Sequence, residues 1–227
     1  MKSSHLRNGL VVFQFSISII LIVGTFVVIK QMAFVRNQSL GFDREHVVVI
    51  KTYEELGQNL SAFKEKLLQN PSVIAASAST SVPSTSFTNR GCRLEGSKSN
   101  RGSNIYAVDE DFLDVMQMQM SQGRFFSNDI PTDKQAMLIN ESMVNKYNGV
   151  DLLNKNISIW VSRKHGELPF RVIGVIKDFH YESFYDHIKP LGLIMIPGAS
   201  EWEESYVSVR IRPENIQLST LAKHGMT

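Results

Sequence analysis

The chain has 227 residues, 43% of them hydrophobic and 20% charged, with a net charge of +2; this balance belongs to folded protein rather than disorder. Basic and acidic residues are interspersed, and no basic tract stands ready to neutralise a phosphate backbone, so nucleic acid is excluded as a partner. The single cysteine, Cys92, excludes an internal disulfide.

The first element is LVVFQFSISIILIVGTFVVI, residues 10–29, uncharged throughout and bounded by Arg7 and Lys30. At about 1.5 Å per residue it spans a hydrocarbon core of about 30 Å. Its hydroxyls, Ser16, Ser18 and Thr25, can bond back to the helix backbone. It exceeds the 7–15-residue apolar region of a cleaved leader, and residues 26–30 offer no small-x-small site, so it reads as an uncleaved membrane helix. Lys2 and Arg7 before it and Lys30 and Arg36 after it nearly cancel in orientation, with the outside modestly favoured for the residues after Lys30. Good helix formers continue to Val35, and Asn37 and Gly41 are stop signals, so residues 30–41 read as a helical stalk.

A domain follows over 42–212. HVVVIKT, residues 46–52, has strand character. Leu56, Leu60, Phe63 and Leu67 then form one helical stripe, with Lys64 on the wet side. Pro71 ends that helix and SVIAASASTSVP resumes as strand. Residues 84–102 read as loop and hairpin-tip material around a short CRLE strand. NIYAV is strand, and Asp109 is placed to cap a short helix ending at Met116. MQMQMSQGRFF alternates, with Gly123 as a turn, and AMLINESMVNKY reads as a strand followed by a helix capped by Asn140. Residues 156–179 read as two antiparallel strands joined around His165 and Gly166, and LGLIMIP and YVSVRI are further strands. The fold class is α+β, with a β-rich inserted lobe at about 84–187 and the segments 42–83 and 188 onward pairing outside it.

The densest group of chemical side chains follows FRVIGVIKDF: Asp178, His180, Glu182, Asp186 and His187. The strand is apolar on both faces in its middle, with Phe170, Val172, Gly174 and Ile176 on one side and Ile173 and Val175 on the other, as in a central strand. Polar residues beyond Phe179 fit a strand leaving the core. A metal site would draw on His180 and Glu182 or His187, but no H-x-x-x-H or H-E-x-x-H spacing occurs and no cysteine pair supports one. Met116, Met118 and Met120 could offer thioethers to Cu(I), yet lack a neighbouring His or Cys, and fit better as the inner face of a half-buried strand. No G-x-S-x-G elbow and no phosphate-binding glycine loop is present, so any ATP used in the protein's work binds to another chain. Cys92 reads as a small side chain near a loop.

The stretch LRNGLVVFQFSISIILIVGTFVVIKQMAFVRNQSLGFDREHVVVI resembles the opening of FtsX/MacB-like ABC transporter permeases of the Bacteroidetes type. VDEDFLDVMQMQMSQGRFF, AMLINESMVNKY and FRVIGVIKDFHYESFYDHIKP follow in family order, so the resemblance covers about residues 6–212. It implies a cytoplasmic segment 1–9 and a bacterial inner-membrane helix. A two-lobed periplasmic core domain would follow, with a porter-like α/β lobe and the inserted lobe. A non-catalytic role in conformational transmission is further implied, with a separate ABC ATPase subunit hydrolysing ATP and a second permease copy or half as partner. It requires no cofactor. Under it Gly174, Asp178, Phe179 and His180 become structural residues of the lobe junction. No second hydrophobic span follows YVSVRIRPENIQLSTLAKHGMT, so a C-terminally truncated chain with a tail at 213–227 is expected.

Two other readings compete. A single-pass sensor or ligand-binding module would need an output domain, and only nine residues precede the helix. A membrane-anchored hydrolase or metalloprotein would use the Asp178, His180 and Glu182 region.

Overall fold

A computed structural model describes residues 2–37, 40–52, 59–83, 85, 88–162, 166–182, 187–195 and 205–213. The apolar N-terminal run forms one continuous helix, α1 (Lys2–Asn37). Its Arg7–Phe34 portion is exposed throughout and is long and apolar enough to cross a membrane. Ser16, Ser18 and Thr25 each donate to the carbonyl four residues earlier, at 2.8, 3.0 and 2.8 Å, which removes the hydroxyl cost inside an apolar surface. Helix α1 and the unit from Leu40 onward are separate compact bodies.

The second body is built on one ten-stranded mixed sheet. Strands β1 (Val47–Thr52), β10 (Ser205–Ile211) and β2 (Val73–Ser79) lie side by side and antiparallel. Helix α2 (Leu60–Leu68) packs on them through Leu60, Phe63 and Leu67. Leu56 of the expected stripe lies outside the described residues. Lys64 does not face water: its side chain is 15% exposed and pairs with Asp109, Glu110 and Asp111.

Strand β2 passes the sheet on to β4 (Asn100–Val108) through Ser79 and Val108. From there β4, β3 (Thr88–Leu94), β7 (Asn156–Ser162), β8 (Gly166–Ile176), β6 (Ala136–Asn140) and β9 (Leu191–Met195) pair in sequence, and β9 returns to β4. Six strands thus close a circuit. Closure leaves none of the six with an unpaired edge along its full length, which hides the hydrogen-bonding groups of a sheet margin. Cys92, Ile105, Met137, Ile139, Ile157, Ile159 and Val172 form one core cluster with α4 (Glu141–Lys146) residue Met143. The opposite faces of β4, β6 and β9 supply Tyr106, Leu138 and Leu193 to a second cluster, with α3 (Phe112–Met116) and Phe179. Two-sided burial explains why LGLIM, buried at every position, carries no polar alternation. Each such large apolar side chain contributes about 1.5–3 kcal/mol on burial.

Four local differences from the sequence expectation have identifiable causes. The Ser/Asn/Gly-rich segment is a regular hairpin, six residue pairs long, in which Gly91 faces Gly102; pairing to β7 on one side overrides its weak strand propensity. Asp109 does not cap α3, whose N-cap is Asp111; its carboxylate instead takes Ser77 Oγ at 2.6 Å and Ala78 N at 2.7 Å. Met116, Met118 and Met120 do not line one strand face. Met116 ends α3, Gln117 is left-handed at φ 49°, and only Met120 is in a strand, β5 (Met120–Gly123), yet all three thioethers pack on the same core cluster. Finally, β9 begins after the expected lobe boundary at 187 but pairs with β4 and β6, because its backbone groups and five buried side chains are satisfied inside the circuit, while β10 alone joins β1 and β2.

Candidate functional site

Strand β8 is the longest of the described strands, and its regular alternation breaks at Ile173. Val172 opposes Met137 and Gly174 opposes Leu138, leaving Ile173 as a bulge. As a result Phe170, Val172 and Val175 face one core cluster while Ile173 and Ile176 face the other, correcting the simple two-residue alternation. Gly174 sits against β5: a Cβ there would stand 2.7 Å from Arg124 O and 2.6 Å from Met120 Cε. Its partner Gly123 is left-handed at φ 73°. Glycine on both sides is what lets the two backbones approach.

Beyond β8, Asp178, Phe179, His180 and Glu182 are each engaged. The Asp178 carboxylate accepts from Ser142 N at 2.9 Å and Ser142 Oγ at 2.6 Å. The Asp178 amide donates to Glu141 Oε2 at 3.1 Å, and Glu141 Oε1 accepts from Ser121 Oγ at 2.9 Å. Asp178 therefore satisfies the first turn of α4 beside the cap residue Asn140, which accepts from Met143 N at 3.0 Å, in keeping with its expected capping role. Asn140 also accepts from Leu191 N and donates to Lys189 O, tying α4 to β9. Phe179 is 1% exposed and meets Phe42 edge-on at 6.0 Å and Tyr181 at 5.5 Å. The half-buried His180 donates its amide to Leu40 O at 2.8 Å.

Glu182 takes the Asn104 amide at 3.3 Å and pairs with Lys189 at 2.5 Å. Tyr181 OH donates to Lys189 O at 2.9 Å, and burial, above all, pushes that phenol well above its ordinary value. Asp186 lies outside the described residues, and His187 is exposed. Among the described residues no group of three His, Cys, Asp or Glu side chains is arranged to hold a metal ion. What Asp178, Phe179 and His180 do is hold chain segments: one to α4, one to the aromatic cluster, one to residue 40.

Two sets of residues escaped the sequence reading. Arg210 of β10 is 5% exposed. Its Nε donates to Val115 O at 2.8 Å and its Nη2 to Asp43 O at 2.7 Å; Nη1 reaches Asp43 Oδ2 at 3.1 Å and Glu45 O at 3.0 Å. The clue in the sequence is an arginine on the Tyr206–Ser208 face of YVSVRI, next to the small Ser208. The second set joins Lys64 to Asp109. Burial pushes the Asp109 carboxyl up, against the pull of Lys64, Ser77 and the Ala78 amide. Burial draws Lys64 down, yet its acidic neighbours leave it raised overall. Cys92 is fully buried, and burial pushes its thiol up to about 11.

Against known proteins, residues 10–221 match the family model described as the MacB-like periplasmic core domain. A 99-residue stretch, 43% of the chain, is 29% identical to the macrolide export ATP-binding/permease protein MacB of Aggregatibacter actinomycetemcomitans and spans 14% of that protein. The crystal structure of the periplasmic region of MacB from Actinobacillus actinomycetemcomitans is similar at a TM-score of 0.55 and 17% identity, over 80% of this chain and 82% of that one. The extracellular domain of the noncanonic ABC-type transporter YknZ from Gram-positive bacteria gives 0.51 and 19%, over 79% and 96%. At such identities the structural likeness is one of fold.

Proposed function

The chain belongs to the MacB-like periplasmic core domain family, and on that basis we propose that it is a permease segment of an ABC transporter whose domain passes ATPase-driven conformational change across the envelope. The observation that carries this reading is the extent of the family match. It begins inside α1 and runs through β10, so apolar helix and domain form one family unit. In this reading α1 spans the inner membrane, residues 1–9 are cytoplasmic and the domain is periplasmic. The inserted lobe, carried on through β9 because that strand pairs inside the circuit, moves against the β1–β10–β2 unit, with Gly174, Asp178, Phe179 and His180 at the junction. ATP hydrolysis resides in a separate ABC subunit, and a second copy or permease half completes the assembly. In this reading the domain's part is mechanical: the Asp178 carboxylate holds the first turn of α4 and the backbone amide of His180 holds residue 40.

Topology is tested with Lys98→Cys in a Cys92→Ala background. A membrane-impermeant maleimide added to cells with a permeabilised outer membrane should label position 98. Labelling only after the inner membrane is broken sinks the periplasmic assignment. The coupling is tested by crosslinking in native membranes: an ABC ATPase subunit identified by mass spectrometry supports it, and its absence from a chain that is membrane-integrated and folded counts against it.

A further inference from the structure

Residues 40–46 follow α1 in sequence and are tied to three elements distant along the chain. Leu40 O accepts from His180 N, and Asp43 N donates to Met116 O at 2.9 Å. His46 O accepts from Ile211 N at 2.9 Å. Gly41, left-handed at φ 79°, lies so close to the β8 exit that a Cβ would come within 2.8 Å of Asp178 O and Phe179 Cα. Phe42 packs on the Phe179 ring. At the other end His46 is also left-handed, at φ 61°, a costly conformation for a residue with a Cβ.

Arg210 closes this crossing. Its guanidinium donates to Asp43 O, Asp43 Oδ2 and Glu45 O of the segment and to Val115 O of α3. The planar guanidinium suits such a task, because one rigid fork fixes several acceptors at once. Removing it would leave those carbonyls and the Asp43 carboxylate without this donor in a partly buried place.

We infer that residues 40–46 form a strap that opens and closes as one unit, with Arg210 as its lock and the β8 exit and β10 as its two moorings. Resting on the permease reading above, the strap is the route by which displacement of α1 enters the domain. It delivers that displacement to both sides of the proposed lobe junction together. Arg210 is then a positioning residue of the transmission rather than a contributor to general stability.

Hydrogen exchange on the full chain in lipid nanodiscs tests the strap as a unit. Arg210→Gln is expected to speed exchange on the order of tenfold at the amides of Asp43, His180 and Ile211 together, while the amides of Leu138 and Leu193 keep their protection. Arg93→Gln, which removes an exposed pair with Glu167, should change none of them. Acceleration at Ile211 alone, with His180 still protected, overturns the single-unit strap, and an equal rise throughout β6 and β9 overturns the lock. Asp43→Asn, expected to give the same pattern more weakly, answers the question if Arg210→Gln does not fold. Optical-tweezer pulling from handles at Arg7→Cys and Lys98→Cys, in the Cys92→Ala background, reads the mechanical role. The first rupture force should fall in Arg210→Gln and not in Arg93→Gln; equal forces overturn the route. These outcomes do not depend on topology, so loss of the permease reading and loss of the strap are separately visible.

Discussion

Asp133 offers a direct test of how the domain's polar interior works. Its side chain is 1% exposed and accepts a two-pronged contact from Arg124, at 2.6 and 2.7 Å, with a third bond from Ser127 N at 2.9 Å. Asp133→Asn keeps the volume and the Ser127 bond but removes the charge from the fork. Breaking a fully buried pair costs about 3–5 kcal/mol. Arg124 is 44% exposed and regains water when released, so the loss here should be nearer about 2 kcal/mol. In urea, with a slope of about 2 kcal/mol per molar, the midpoint falls by about 1 M with the slope unchanged. The Arg124 hydrogen bonds hold the Asp133 carboxyl below its ordinary value. Its stabilisation is therefore complete above the unfolded value of about 4 and is lost as pH falls through the folded value. Tryptophan-monitored unfolding of the full chain in detergent should show the wide gap between wild type and Asp133→Asn at neutral pH narrowing below about pH 4. A gap that stays the same into acid would refute this account.

Further outcomes rest on local geometry and burial. Gly174→Ala should cost about 1–3 kcal/mol, since the Met120 and Leu138 tips can yield but the Arg124 carbonyl cannot retreat without moving β5. Gly166→Ala, left-handed at φ 66° in open space, should cost about 1 kcal/mol; a smaller loss at Gly174 than at Gly166 in urea unfolding would contradict the close-approach argument. Cys92, buried and with its thiol pushed up to about 11, should resist a maleimide at pH 8 in the folded chain and react on unfolding. Rapid native labelling would show that the core around it is open.

Much of this architecture is legible in local pattern. An uncharged run with hydroxyls spaced for back-bonding becomes α1. The spacing of Leu60, Phe63 and Leu67 becomes the packed face of α2, and Asn140 caps α4 because its side chain needs only the amide three residues on. Unbroken apolar runs such as LGLIM announce strands covered on both faces. These features depend on neighbours within a turn or a pleat, where periodicity carries the information.

Other features are set at larger separations. The return of β9 to β4, the bulge at Ile173 and the hairpin made from Ser- and Asn-rich chain depend on which strands stand beside them. Asp109 has the sequence position of a cap and serves β2 instead. The acid-rich exit of β8 has the composition of a chemical site, yet Asp178 bonds to α4 and His180 to residue 40. Arg210 meets Asp43 across 167 positions of chain. No local period encodes such a meeting, because a buried charge is placed by whichever distant carbonyls and carboxylates folding brings to it. Helices, strands and their apolar faces are written in the local sequence, while the partners of the polar groups are chosen only when distant segments pack together.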